Sequence, residues 1–543
     1  MCKGNTAVTV DYYWVNGEPS GHVDEQQIII LDGRRIFLRK LCRGGQLYSG
    51  LFLLPSMQPA VSRPTAPVSS APFAAANSFQ AQFEALRQHA PALRREDVAA
   101  RRARLQKLHD WLQAHRPDIQ KALLTDFRKP TAETDLTEIW TSMVELKHTM
   151  SHLKKWMARR PVGVSMALLG TRSWVQVEPK GVVLIISPWN YPFYLAVGPL
   201  ISAIAAGNAV VIKPAEQTPA TSGLLRRMCE ELFRPEEVLL LEGGKETATE
   251  LLKLPWDHIF FTGSPEVGKI VMRAAAEHLS GITLELGGKN PAVVDETANL
   301  RDAAEKIVWG KFLNNGQTCV APDYLLVQES VQPALLTELT AAIQRAYNPD
   351  GAGIQQSDSL ARVVNQHHFA RLAGLLEDAQ TKGATVAAGG TVDAAQNYIE
   401  PTILTNVPVT ARVLEEEIFG PLLPVLTYKT LGETTDYINA RLKPLAQYVF
   451  STSAENRRYL LENVSAGGAG VNEVVLHFAH PELPTGGVGN SGLGKAHGHA
   501  GFLAFSNEKG VMRQRVGFTG IKAMYPPYTG RVQKLIGLLV KYL

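Results

Sequence analysis

The longest uncharged stretch of the chain, Gly181 to Ile212, runs 32 residues, long enough to span a bilayer. Its internal punctuation argues against that. VVLIIS is a short β-branched run, PWNYP a turn, FYLAVGPLISAIAA a buried-helix pattern, and GNAVVI a second strand. Strands apolar on both faces belong inside a parallel sheet. Pro188, Asn190 and Pro192 would also break a helix at mid-bilayer. The alternation continues through helix TSGLLRRMCEELF, strand VLLLEG, helix ETATELLKL, strand HIFFTG and helix VGKIVMRAAAEHL. This predicts a doubly wound α/β domain. A second α/β stretch runs from about Asn290 to about Asn472.

Upstream, from about Ser78 to Met157, the pattern is helical, and the arginines of AARRARLQKL read as a solvated helix face. Residues 52–77 are rich in Pro, Ala and Ser and read as a linker. The first fifty residues carry strand-like pieces (IIIL, RRIFLRKL). Their acidic residues, Asp11, Glu18, Asp24, Glu25 and Asp32, do not suit a signal peptide. An appended module and an over-long start site both fit.

Composition narrows the class. The 543 residues are 45% hydrophobic and 20% charged, ordinary for a globular protein, and their length implies several domains. A net charge of +4 without a basic block gives no reason to expect a nucleic-acid partner. Four scattered cysteines (Cys2, Cys42, Cys229, Cys319) make neither a disulfide framework nor a zinc motif. A reducing cytoplasm fits them, and no metal is expected. Cys229 falls within the apolar pattern of a helix and reads as core. Cys319 does not: NNGQTCVAPDY, Asn314 to Tyr324, surrounds it with small, polar, loop-forming residues.

Candidate phosphate chemistry lies in FFTGSPEVGKIVM. Gly263 to Lys269 fits the start of a P-loop, but Ile270 stands where Ser or Thr would hold Mg²⁺. The helix start after Gly263 and Ser264 can face a dinucleotide pyrophosphate; a plain turn between strand and helix fits as well. Lys213 and Glu216 follow directly on a strand end, where they could hydrogen-bond the ribose hydroxyls of an adenosine. Taken singly, each also reads as a solvated loop charge.

Together these segments resemble the aldehyde dehydrogenase family, over roughly residues 80 to 528. The resemblance rests on SPWNYPF (187–193), KPAEQTP (213–219), FTGSPEVG (261–268), LELGGKNP (284–291), GQTCVAPDY (316–324), EEIFGPLLPV (416–425) and GGVGNSGLGKAHG (486–498). The last of these, with CVAPDY and YPPYT (525–529), is similar to the class 3 branch, which handles fatty and aromatic aldehydes. The resemblance implies a Rossmann-type dinucleotide-binding domain, an α/β catalytic domain and a small β oligomerisation extension. The expected boundaries are 1–77 for the extension and linker, 78–288 for nucleotide binding with oligomerisation strands at about 160–180, 289–485 for the thiol domain, and 486–543 for a C-terminal return. It implies Cys319 as nucleophile, Glu285 as general base and Asn190 as oxyanion donor. It places Lys213 and Glu216 at the adenine ribose and Gly263, Ser264 and Gly268 around the pyrophosphate. Glu417 falls at the nicotinamide ribose and Phe419 beside the nicotinamide. The cofactor expected is NAD, with NADP as the alternative, because Glu216 would disfavour a 2′-phosphate. A homodimer is the assembly implied.

The chemistry suits these residue types. A soft thiolate adds readily to a carbonyl, amide N–H groups stabilise the resulting oxyanion, and a carboxylate in apolar surroundings can activate the water that releases the acid. Read alone, Glu285 also fits a carboxylate capping the Gly287–Gly288 turn. Lys495 and His497 read as loop polar groups outside the site. A Cys/Glu esterase would have no use for KPAE and EEIF, and a non-catalytic descendant would have no need to keep Cys319 and Glu285. The 13-residue C-terminal run RVQKLIGLLVKYL is too short to span a membrane. It is expected to dock on the protein or a second subunit, with contact at a bilayer surface as the weaker alternative.

Overall fold

The computed structural model describes residues 73–542, except 165–167 and 169, and six short strands between Trp14 and Ser49. The chain forms two compact units, residues 1–70 and 71–543. Among the described residues the first holds three antiparallel pairs: Trp14–Val15 with Glu18–Pro19, Gln27–Leu31 with Arg34–Leu38, and Lys40–Arg43 with Gln46–Ser49. The second opens on helix Phe73–Arg94, which begins inside the stretch read as linker; residues 52–72 of that stretch lie outside the described residues. Phe83, Leu86 and Leu93 explain why the helix forms, since all three are buried in the core beneath the first sheet.

That sheet has five parallel strands in the order Val238–Leu240, Ala209–Lys213, Val182–Ile186, His258–Gly263, Gly281–Leu286, with Gly492–Leu493 added antiparallel at the edge. In chain order the parallel strands run 3-2-1-4-5. Crossovers therefore leave Val182–Ile186 in opposite directions, and a crevice opens at the carboxyl ends of this strand and His258–Gly263. Helix Tyr194–Ala206, the middle of the uncharged run, is buried at every residue. It ends at Gly207, whose positive φ of 92° suits a left-handed cap.

The arginine-rich helix Val98–Ala114 departs from expectation, because Arg101 and Arg104 are buried. The Arg101 guanidinium donates to the carbonyls of Ala205 (3.0 Å) and Ala206 (2.6 Å), covering the negative end of the buried helix. Arg104 pairs with Glu96 at 3.1 Å. Only Arg102 of this trio is exposed. Sequence periodicity cannot foresee a cap supplied to another helix.

The second sheet has seven strands in the order Thr385–Ala388, Thr402–Thr405, Leu422–Tyr428, Tyr324–Gln328, Pro291–Val294, Ala446–Phe450, Gly468–Val471, all parallel except the first pair. Residues 287–290 connect the carboxyl end of Gly281–Leu286 to the amino end of Pro291–Val294. The carboxyl edge of one sheet thus meets the amino edge of the other, and the site forms along this seam. A three-stranded antiparallel sheet, Ser506–Gln514, Thr171–Pro179, Arg160–Val162, stands apart from both. The C-terminal helix Gly530–Tyr542 has no buried residue. Among the described residues no helix is long and apolar enough to cross a membrane.

Candidate active site

The thiol loop is fixed on every side. Asn314 and Asn315 both adopt left-handed backbone (φ 53° and 55°), which Asn tolerates better than most residues. Asn314 Nδ2 donates to the Asn190 carbonyl at 2.7 Å, and Asn190 Nδ2 donates to the Gln317 carbonyl at 3.1 Å. Asn190 Nδ2 thus has a second N–H to offer. Gly316 (φ 76°) packs so closely on the EEIFG loop that a Cβ would lie 2.3 Å from the Gly420 carbonyl oxygen. Asn290 clamps the other flank. Its Nδ2 donates to the carbonyls of Cys319 (2.8 Å) and Ala321 (2.9 Å), while its Oδ1 accepts the Ala446 N–H (2.8 Å).

Cys319 lies where two cavities meet. One has Trp140, Tyr191, Trp309, Val475 and Phe478 among its walls; the other contains Glu285. Burial, then the charges of Glu417 and Glu285, push the thiol up to about 12. Glu285 is itself pushed up to about 8 by burial, against the pull of Lys495. Its Oε1 is buried and accepts no hydrogen bond among the described residues. Glu417 reaches about 8 by burial and the nearby Asp323. Its carboxylate fills the space beside Gly287, where a Cβ would come within 2.1 Å of Glu417 Oε2. The loop carrying Glu417 is held by Lys289, which pairs with Asp323 and donates to the carbonyls of Val413 (3.0 Å) and Glu416 (2.9 Å). Phe419, also left-handed (φ 50°), meets Trp189 edge to face at 5.3 Å.

At the carboxyl edge of the first sheet the donors fit a dinucleotide. Lys213 Nζ pairs with Glu216 Oε2 at 2.6 Å, the lysine buried and the carboxylate partly exposed. Ser264 caps helix Pro265–His278 by accepting the Val267 N–H at 3.4 Å. Gly263 ends the preceding strand. Gly268 faces the sheet instead of open space: a Cβ there would lie 2.8 Å from Leu286, so its small size serves helix packing.

Of two residues read as outside the site, His497 lines a cavity wall and Lys495 braces the loop beside Glu285. The short strand Gly492–Leu493 pairs with Leu284 and Glu285, which brings the GLGKAHG loop against the general-base candidate. Lys495 Nζ donates to the carbonyls of Gly486 (2.6 Å) and Gly467 (3.2 Å), and Gly486 abuts Glu285 Oε1. His497 lines the Glu285 cavity, hydrogen-bonds Tyr194 Oη at 3.2 Å, and is lowered to about 4 by burial. Asn290 belongs to the LELGGKNP motif, but its clamp joins groups that only the fold brings together.

The profile of the Aldehyde dehydrogenase family matches residues 54–511, and the chain belongs to this family. The chain is 43% identical over 437 residues to the 4,4'-diaponeurosporen-aldehyde dehydrogenase of Staphylococcus aureus (strain NCTC 8325 / PS 47), covering 80% of this chain and 94% of that relative. It is 41% identical to aldehyde dehydrogenase family 3 member B2 of Mus musculus, covering 87% and 97%. The solved substrate-bound state of Staphylococcus aureus AldH superposes with a TM-score of 0.81 at 41% identity, over 85% of this chain and 99% of that one. The protein is therefore an enzyme of the NAD(P)-dependent aldehyde dehydrogenase family.

Proposed function

We propose that this enzyme oxidises a fatty or aromatic aldehyde to the carboxylic acid through a thiohemiacetal and then a thioester on Cys319. The carrying observation is the placement of Cys319 at the junction of an apolar, aromatic-walled cavity and a second cavity holding Glu285, whose buried Oε1 has no hydrogen-bond partner among the described residues. Such walls favour a long or planar apolar tail over a small hydrated aldehyde.

The thiol, pushed up to about 12, must give up its proton as sulfur attacks the carbonyl carbon; Glu417, raised to about 8 and so partly ionised near neutral pH, can accept it and release it to solvent, which leaves Glu285 free for the water step. The second N–H of Asn190 Nδ2 and the Cys319 backbone N–H stabilise the oxyanion, each such donor being worth about 3 kcal/mol. When bound, the nicotinamide accepts the hydride that leaves the adduct carbon. Glu285 then takes a proton from the water that attacks the thioester, and the acid leaves as the sulfur is freed. Lys213 and Glu216 hold the adenosine ribose, the Ser264 helix start faces the pyrophosphate, and Glu417 and Phe419 hold the nicotinamide riboside.

Glu216 favours NAD over NADP in this reading. Glu216→Gln is expected to raise the NADP-to-NAD ratio of kcat/KM by about tenfold, the factor that roughly 1.4 kcal/mol of removed repulsion yields. The thiol needs a reducing compartment, such as the cytoplasm. A homodimer through the exposed three-stranded sheet completes the proposal, and light scattering on eluted protein tests it. The decisive assay follows absorbance at 340 nm with NAD or NADP and hexanal, decanal, benzaldehyde or coniferaldehyde, beside Cys319→Ala. Reduction that persists in Cys319→Ala, or a folded, reduced wild type that reduces neither nucleotide, would refute the reading.

A further inference from the structure

We propose that His148, His152 and Glu482 form a binding site for one divalent transition-metal ion of the zinc class, tying helix Thr141–Met157 to the segment that walls the substrate cavity. The two histidines stand four residues apart on one helix face, their ring centroids 4.2 Å apart. Glu482 arrives from the loop after Leu476–Ala479, and one ligand atom from each of the three residues lies within 4.8 Å of the others. A tetrahedral ion at ~2.0–2.1 Å from its ligands needs them about 3.4 Å apart, so closure takes roughly 1 Å of movement. Glu482, exposed on its loop, can supply it.

The histidine geometry favours a metal. His152 Nδ1 lies 2.9 Å from the His148 carbonyl. In the tautomer that donates Nδ1–H to this carbonyl, beside Ser151 Oγ at 2.9 Å, Nε2 keeps its lone pair for a metal, the arrangement common to metal-binding imidazoles. His480 Nδ1 accepts the Glu482 N–H at 3.2 Å, which shapes the loop that presents Glu482. Space is defined as well: a Cβ on Gly498 would lie 2.0 Å from the Pro481 carbonyl oxygen and 3.5 Å from His148 Cδ2. Two imidazoles and one carboxylate suit Zn²⁺, Co²⁺, Ni²⁺ or Cu²⁺ better than Mg²⁺ or Ca²⁺, which prefer all-oxygen shells. Glu482 stands between Phe478, in both cavity walls, and Gly486, against Glu285 Oε1. An ion here would hold that segment in place without touching Cys319 or the nucleotide residues, so the site is independent of the proposed reaction.

The test uses untagged, full-length protein stripped with chelator and titrated with Zn²⁺ by calorimetry and with Co²⁺ by visible absorbance. One ion per chain, a raised unfolding temperature, and a Co²⁺ spectrum without sulfur charge transfer are expected. In His148→Gln and Glu482→Gln the affinity should fall by more than the roughly 10–100-fold that losing a ligand's outer hydrogen-bond partner costs. Glu482 is exposed, so its variant remains a test even where the histidine variant misfolds. No saturable binding, binding unchanged in Glu482→Gln, or a sulfur band that disappears in Cys319→Ser would overturn the proposal.

Discussion

Glu285 carries two opposed demands in one side chain. As a base it must lose its proton, yet burial raises its pKa from 4.5 to about 8 and no hydrogen bond reaches Oε1 among the described residues. The folded state therefore binds a proton that the unfolded state releases above pH 4.5, and stability falls as pH rises from there through 8. Glu285→Gln is expected to unfold at a higher temperature than wild type, with the gap widening between pH 5 and 8. Each pH unit between the folded and unfolded values corresponds to roughly 1.4 kcal/mol, so the gain is a few kcal/mol at most. The same variant should slow thioester hydrolysis by about 10²–10⁴-fold while a first-turnover burst of NADH remains; equal loss of burst and turnover would deny Glu285 the hydrolytic role. Lys495 holds Glu285 below where burial alone would put it. Lys495→Met should accordingly move the acid limb of the pH–rate profile to higher pH, and an unmoved limb would show that the ammonium is screened. Cys319 and Glu285 were legible because each sits oddly in its local pattern. Lys495 was not, because only the antiparallel pairing of Gly492–Leu493 with Leu284–Glu285 brings it there.

Elements show the same division between local and tertiary information. The run from Gly181 to Ile212 reads as strand, helix, strand and folds as Val182–Ile186, Tyr194–Ala206 and Ala209–Lys213, since β-branched runs, turn residues and helix length are local signals. The buried Arg101 and the left-handed Asn314 and Asn315 were not legible, because each answers a backbone group supplied by a distant element. Asn290 is the clearest test of such a cross-element contact. Its three side-chain hydrogen bonds join the thiol loop to strand Ala446–Phe450, and Asn290→Ala leaves two carbonyls and one N–H without that partner. A loss of roughly 2–5 kcal/mol in stability is expected from the missing bonds and orphaned groups. Alkylation of Cys319 by iodoacetamide should also become faster as the loop loosens. If the variant loses stability while the alkylation rate stays fixed, Asn290 braces the strand and not the thiol.

At the scale of the whole molecule, every residue assigned to the site and both large sheets lie in the unit from 71 to 543. The natural cut is therefore between 70 and 71, ahead of helix Phe73–Arg94, and not at the end of that helix. Two truncations separate these cases. A chain of residues 71–543 keeps Phe83, Leu86 and Leu93 buried under the first sheet, and its kcat and unfolding temperature should match those of the full chain. A chain of residues 96–543 removes the helix and exposes the sheet face beneath it. Burying each of these side chains is worth about 1.5–3 kcal/mol, so the three account for roughly 5–9 kcal/mol, as much as the whole stability of many domains. The shorter chain should aggregate or unfold well below the temperature of the longer one, measured by light scattering and thermal melts. Should residues 71–543 fail to fold or lose activity, residues 1–70 would have to contribute to the catalytic unit, and the division of the chain into an appended unit and a self-sufficient enzyme would be wrong.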